Sequence, residues 1–362
     1  MRHYLSKTDF PALLALLQAL DYTCIAPQIR HGAIMFAPLT DITQLPQGFQ
    51  DEQAPAHYRL RQTDSPYWFD WANGAAAIKP HTFAPQETLW KVMRDESGRL
   101  HFKTVLPKPD KVAILGVRAC DLAALAVQDQ HFLHGEYPDP YYQQRREHLL
   151  LIGVNCTHAA ATCFCVSTGD GPAIHTGYDL LLSELADGFV VEMGSERGQL
   201  LAENLPLRPA TADEIFTAQQ RMQTATQQTR QLPAKPLLYE RLNHPHWQTL
   251  GEQCLACGNC TAVCPTCFCH QTVEQPELDT SHSSHERWWD SCFNQGHSYV
   301  HGWQVRSTPA EYYRQWLTHK LTGWQEQFGR SGCTGCGRCI TWCPAGIDLT
   351  VAVEALYENA SQ

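Results

Sequence analysis

CLACGNCTAVCPTCFCH, residues 254–270, carries six cysteines in seventeen residues. Cys254, Cys257, Cys260 and Cys264 are followed by Pro265 in the pattern C-x2-C-x2-C-x3-C-P. The pattern recurs downstream as CTGCGRCITWCP, with Cys333, Cys336, Cys339, Cys343 and Pro344. Three thiolates at this spacing can wrap three corners of a cubane while backbone N–H groups donate to its sulfurs. In two-cluster ferredoxins the fourth cysteine of each run ligates the other cluster. The spacing therefore predicts two 4Fe–4S clusters in crossed ligation: Cys254, Cys257 and Cys260 with Cys343, and Cys333, Cys336 and Cys339 with Cys264. Paired C-x2-C spacings also make zinc sites, but a third cysteine in step and a Cys-Pro ending, each occurring twice, argue against zinc. The long stretch between the runs predicts the helical form of a dicluster ferredoxin-like domain, all-α between its motifs, over 241–362.

Upstream the pattern is different. KVAILGVRAC (111–120) and HLLLIGVNC (148–156) are buried-strand runs, and DLAALAVQDQHFL between them has helical periodicity with Asp121 as its expected N-cap. Strand–helix–strand in this order argues for a parallel unit, and GFVVEM (188–193) adds a further strand. Residues 1–210 are thus expected to form an α/β (α+β) domain with a partly parallel sheet. FPALLALLQAL near the start reads as a first helix, capped by Thr8 or Asp9, with Pro11 in its first turn. The Gln-rich segment 211–240 reads as a linker or surface helix stopped by Pro233 and Pro236. TPAEYYRQWLTHKLTGWQEQFG opens with a capping box, Thr308 and Glu311, and closes at Gly329.

Cys120 and Cys156 follow two similar strands, at the edge where open α/β sheets build their sites. Cys163 and Cys165 come soon after in TCFC. These four converge on a third 4Fe–4S site, with zinc, redox thiols or plain core packing left open at a spacing that matches no standard motif. Cys267, Cys269 and Cys292 are surplus, and packing around the clusters is their favoured reading. His270 is close enough in sequence to tune a cluster, GDGPAIHTG (169–177) reads as a turn near the third site, and Cys24 reads as core.

Sixteen cysteines in a 362-residue acidic chain without a convincing signal sequence point to metal in a reducing compartment, the cytoplasm. The formal charge of −10 comes from interspersed charges. It leaves no basic stripe for nucleic acid, and no apolar run is long enough for a membrane span. Neither G-x-G-x-x-G nor a P-loop is present, so no flavin or nicotinamide site of its own is expected.

GVRACD, GVNCTHAAATCFCVSTGDGP, GYDLLLSEL, DGFVVEMGSERG, the first cysteine run and GCTGCGRCITWCPAGID together resemble the β subunits of soluble NAD(P)-linked NiFe hydrogenases, the sulfhydrogenases. The iron–sulfur electron-transfer subunits of anaerobic sulfite reductases form a sister branch. The resemblance covers about residues 110 to 350. Ala119 stands where proline is expected, and STGDGP where the family has a nearby variant; neither touches a cysteine. The resemblance implies an iron–sulfur electron-transfer subunit, with a flavoprotein NAD(P)-binding subunit on one side of it and NiFe hydrogenase small and large subunits on the other. In the sister branch the far partner is a sirohaem sulfite reductase subunit. Two readings from other classes stand beside it: a self-sufficient reductase of sulfur compounds acting at the N-terminal cysteines, and a zinc-stabilised binding module.

Overall fold

VAILGV and LLLIGV have no polar face to turn to water, so both sides of each strand must be covered. In the computed structural model, which describes residues 2–76, 78–278 and 282–358, the strands Val112–Val117 and Leu149–Val154 are buried almost throughout. They pair in parallel, with Ala113 opposite Leu150 and Leu115 opposite Ile152. They sit at the centre of a mixed eight-stranded sheet. Thr23–Arg30 lies parallel to Val112–Val117, and Ala33–Pro38 pairs antiparallel beyond it. On the other side Leu180–Glu184 is parallel to Leu149–Val154, followed by Gly188–Met193, His3–Ser6 and Arg208–Pro209, all antiparallel.

Alternation along the central strands separates two cores. Ala113, Leu115, Leu150 and Ile152 face the helix Pro11–Ala19, through Leu13 and Leu17, and the aromatic segment Trp68, Phe69 and Trp71. Ile114, Leu149 and Leu151 face the helix Ala119–Phe132, through Leu122 and Leu125, with Phe83 and Tyr142. Two helix starts differ from expectation. The N-cap of Ala119–Phe132 is Arg118, in extended conformation, and Asp121 lies inside the first turn. Phe10 precedes Pro11–Ala19 without a side-chain cap, because Asp9 accepts from the Ser6 hydroxyl instead.

The mixed sheet and a helical cluster region match the expected architecture, with one correction: the chain between the cysteine runs is not all helical. His270–Pro276 and His282–Trp289 form a hairpin, and the second strand pairs with Gln86–Arg94, which pairs with Leu100–Thr104. This second sheet joins residues far apart in sequence. Arg287 in the hairpin bonds Glu87 at 3.1 Å, and Arg145 bonds the same carboxylate at 2.7 Å. The Gln-rich helix, Ala212–Thr224, ends well before Pro233.

The capping box of Pro309–Thr318 is present: Thr308 N donates to Glu311 at 3.0 Å and Glu311 N to Thr308 at 3.3 Å. A π-turn, His319–Gly323, then carries the chain into Trp324–Phe328, and Gly329 ends it at φ 71°. Trp247, Leu250, Tyr313, Trp316, Leu317 and Val353 are among the buried residues of a third core, against which Cys254, Cys260, Cys339 and Cys343 pack.

Candidate metal centres

The two cysteine runs fold alike. In the first, Ala256 and Gly258 take φ 50° and 70° before the short helix Asn259–Ala262. In the second, Gly335 and Gly337 take φ 63° and 74° before Arg338–Thr341. Left-handed residues third and fifth in each run bend the chain around its thiols. Ala256 N donates to Cys254 Sγ at 3.4 Å, and the Gly335 backbone N–H acts on the Cys333 thiol from the corresponding position.

Cys254, Cys257, Cys260, Cys339 and Cys343 line one cavity, with Phe293, Tyr313 and Trp316 among its apolar walls. Cys264 lies instead within electrostatic reach of Cys333, Cys336 and Cys339. The fourth cysteine of each run thus faces the three of the other. In the N-terminal part Cys165 is within reach of Cys156, Cys163 and Cys120. Each of the twelve expected thiols thus lies near others of its expected set of four. Among the described residues, no three or more His, Cys, Asp or Glu side chains close tightly enough to hold a single metal ion.

The groups also adjoin. Cys336 reaches Cys120 and Cys165, and Cys260 reaches Cys264 and Cys339. Main chain fastens the second run to the third group: Phe164 N donates to Gly335 O at 2.8 Å. A Cβ on Gly335 would come within 2.5 Å of the Phe164 backbone, and one on Gly337 within 2.5 Å of Thr162 O. Gly171 of the glycine-rich loop packs directly on Cys165, whose Sγ would lie 3.0 Å from a Cβ there.

Burial pushes the Cys120, Cys163, Cys260 and Cys339 thiols well above their usual range, so a bound cation is what would make thiolates of them. Cys264 is lowered well below it, first by a hydrogen bond from Cys267 and then, against burial, by Lys320. Lys320 is only 6% exposed and donates to Cys264 Sγ at 3.4 Å, Thr266 Oγ1 at 2.8 Å and Gly332 O at 3.3 Å. Burial pulls its ammonium down, but Cys264, Cys267 and Cys333 outweigh that and hold it well above the usual lysine range.

Arg118 is buried against Cys156. Its terminal nitrogens donate to Phe69 O at 2.7 Å and Trp71 O at 2.8 Å, while its Nε has no partner. Trp316 Nε1 and Thr334 Oγ1 are likewise buried and unpartnered. Buried donors beside grouped thiols fit an anionic sulfur-rich group. Asn73 Nδ2 donates to Cys120 Sγ at 3.1 Å, and Gln228 Nε2 to Cys165 Sγ at 3.3 Å. Between the second and third groups, Arg338 and Asp121 form a fully buried two-pronged ion pair at 2.7 and 2.9 Å.

None of these supporting residues stands out in the sequence. Lys320 looks like any helix-surface lysine, and Gln228 falls in a low-information polar segment. The GRC tripeptide, with a charge inside a thiol run, is the available signal for Arg338. His270 is exposed, bonded to Phe268 O at 3.2 Å and set edge-on to Phe83; His297 and His319 instead come within electrostatic reach of a cysteine, Cys269. Cys24 is core, as expected.

The thiol groups define an iron–sulfur protein, and residues 253–347 match the 4Fe–4S dicluster domain family. The chain is 28% identical over 315 residues to Sulfhydrogenase 2 subunit beta of Pyrococcus furiosus, covering 83% of this chain and 90% of that protein. The resemblance to iron–sulfur β subunits of sulfhydrogenases is thereby borne out over most of the sequence. No solved structure matches. No helix among the described residues is long and apolar enough to cross a membrane.

Proposed function

We propose that this chain is the electron-transfer iron–sulfur component of a cytoplasmic NAD(P)-linked complex. It relays electrons between a NiFe hydrogenase module and a flavin-containing NAD(P)H-oxidoreductase subunit. Three 4Fe–4S clusters are assigned: one to Cys254, Cys257, Cys260 and Cys343, one to Cys333, Cys336, Cys339 and Cys264, and one to Cys120, Cys156, Cys163 and Cys165. Such clusters supply reversible one-electron chemistry when bound.

The adjoining of the three thiol groups supports this reading most, because a relay needs its centres in a row. The chain's own part is electrostatic. Lys320 and Arg118 set positive charge beside Cys264 and Cys156, which favours the more negative, reduced state of whatever the sulfurs hold. Burial works in the opposite direction by penalising net negative charge. No side chain is required to move a proton. The name of the similar Pyrococcus protein favours a hydrogenase partner over a sirohaem sulfite reductase subunit.

Iron and acid-labile sulfide quantitation with EPR on anaerobically purified protein tests the assignment. About twelve irons per chain are expected, and about eight would remove the third cluster. Cys264→Ser should abolish the EPR signal of the centre at Cys333, Cys336 and Cys339 while sparing that at Cys254, Cys257 and Cys260. The opposite pattern refutes crossed ligation. Co-purification with NiFe or sirohaem subunits identifies the partner.

A further inference from the structure

Cys269 and Cys292 belong to none of the three thiol groups, yet the fold brings them together. Asp290 N donates to Cys269 O at 2.9 Å, closing the base of the hairpin His270–Pro276 and His282–Trp289. Cys292, two residues past Asp290, is brought by that closure within electrostatic reach of the Cys269 thiol. The 3-10 turn Gln295–Ser298 then returns His297 to the same place. Its Nδ1 lies 2.6 Å from Asp290 Oδ2, and its imidazole is within electrostatic reach of the Cys269 thiol. Carboxylate, imidazole, thiol and second thiol therefore stand in sequence. Both cysteines are partly exposed, beside exposed Asn294, Gln295 and Gly296.

We propose that Cys269 and Cys292 form a redox-active dithiol that exchanges with small disulfides, with Cys269 the attacking sulfur and His297, held by Asp290, its charge partner. An activated thiol needs a neighbouring cation, access and a resolving thiol, and all are present. The electrostatics agree. The Cys269 thiol is lowered to about 4, first by the Cys292 thiol and then, against burial, by His297. His297 is raised to about 9 by Cys269 and Asp290, while Cys292 is pushed far up and stays the S–H donor.

In the exchange, the Cys269 thiolate attacks one sulfur of R–S–S–R, forming a mixed disulfide and releasing RS⁻. That thiolate takes the Cys292 proton and leaves as RSH. The Cys292 sulfur then attacks the Cys269 sulfur, closing the Cys269–Cys292 disulfide and expelling the second RS⁻. Two electrons and one proton restore the thiolate–thiol pair. Their delivery one at a time from the neighbouring centre rests on the relay proposed above, with Cys292 within electrostatic reach of Cys260. The exchange itself does not depend on the relay.

The test uses anaerobically purified full-length protein with its metal content intact. Bis(2-hydroxyethyl) disulfide is added, and cysteines are mapped by mass spectrometry. A Cys269–Cys292 disulfide is expected in the unaltered chain, and Cys292→Ser should stop at the mixed disulfide on Cys269. His297→Gln should slow modification about tenfold at pH 6 with iron and sulfide content unchanged. An unmodified Cys269, a rate indifferent to His297→Gln, or iron lost in Cys292→Ser overturns the proposal. If Cys292→Ser does not fold, His297→Gln still decides it. Iron counting on the unaltered chain judges the relay separately.

Discussion

Replacing Lys320 by methionine removes a buried positive charge and keeps the length of the side chain. The ammonium nitrogen lies 3.4 Å from Cys264 Sγ, and an electron added to a cluster there spreads over atoms farther away. With an effective separation of about 5.5 Å and an effective dielectric of about 20, one charge on one electron is worth roughly 3 kcal/mol. For a one-electron couple that is about 130 mV. Thr266 retains its own bond to Gly332 O at 2.6 Å, so the pocket has a reason to hold its shape. The expected outcome is a midpoint potential lowered by about 100 mV for the centre at Cys333, Cys336, Cys339 and Cys264, with the centre at Cys254, Cys257, Cys260 and Cys343 moving by less than half as much. An EPR-monitored redox titration of the intact protein measures both. A shift below about 20 mV, an upward shift, or equal shifts at all centres would refute the reasoning. Either Lys320 would then be uncharged, or Cys264 would not belong to that centre.

Asp121→Asn leaves Arg338 buried without its countercharge and should cost about 3–5 kcal/mol in denaturant unfolding; a loss under about 1 kcal/mol would mean that the buried arginine finds another partner. Gly335→Ala meets the Phe164 backbone at 2.5 Å in a left-handed conformation and should destabilise by more than about 2 kcal/mol. The equivalent Ala256→Gly should change thermal stability by less than about 1 kcal/mol. Glu214 is lowered to about 2, first by its bond to Arg208 and further by the Thr211 backbone. Because its folded value lies below the unfolded one, its contribution is complete above the ordinary value of 4.5 and is lost as pH falls towards 2. Thermal unfolding of Glu214→Gln should therefore converge with the unaltered chain at the acid end.

Chemistry with a fixed ruler is what the sequence makes legible. A cubane dictates the spacing of its thiols, so both runs can be read directly, and the crossing of Cys264 and Cys343 is the expectation that follows from them. So can VAILGV and LLLIGV, because only strands covered on both faces are apolar at every position. HQTVEQP and HSSHERWW show no such alternation. Their pairing with Gln86–Arg94 is written in neither segment alone, and that is why a helix is the expectation there. Asp121 sits where a helix cap would, and only the arrival of Arg338 from the far end of the chain reveals it as half of an ion pair. Lys320 is buried by the π-turn, which no local propensity announces.

The main-chain bond from Phe164 to Gly335 has a consequence for biogenesis. Cys156, Cys163 and Cys165 leave the ribosome long before the backbone that completes their surroundings has been made. Until Gly335 and Gly337 arrive, the loop 162–165 lacks the surface on which it rests. Loading of the metal proposed for the N-terminal thiols would therefore await the finished chain and closure of the C-terminal run, and a chain truncated before Gly335 is expected to leave those thiols without that support.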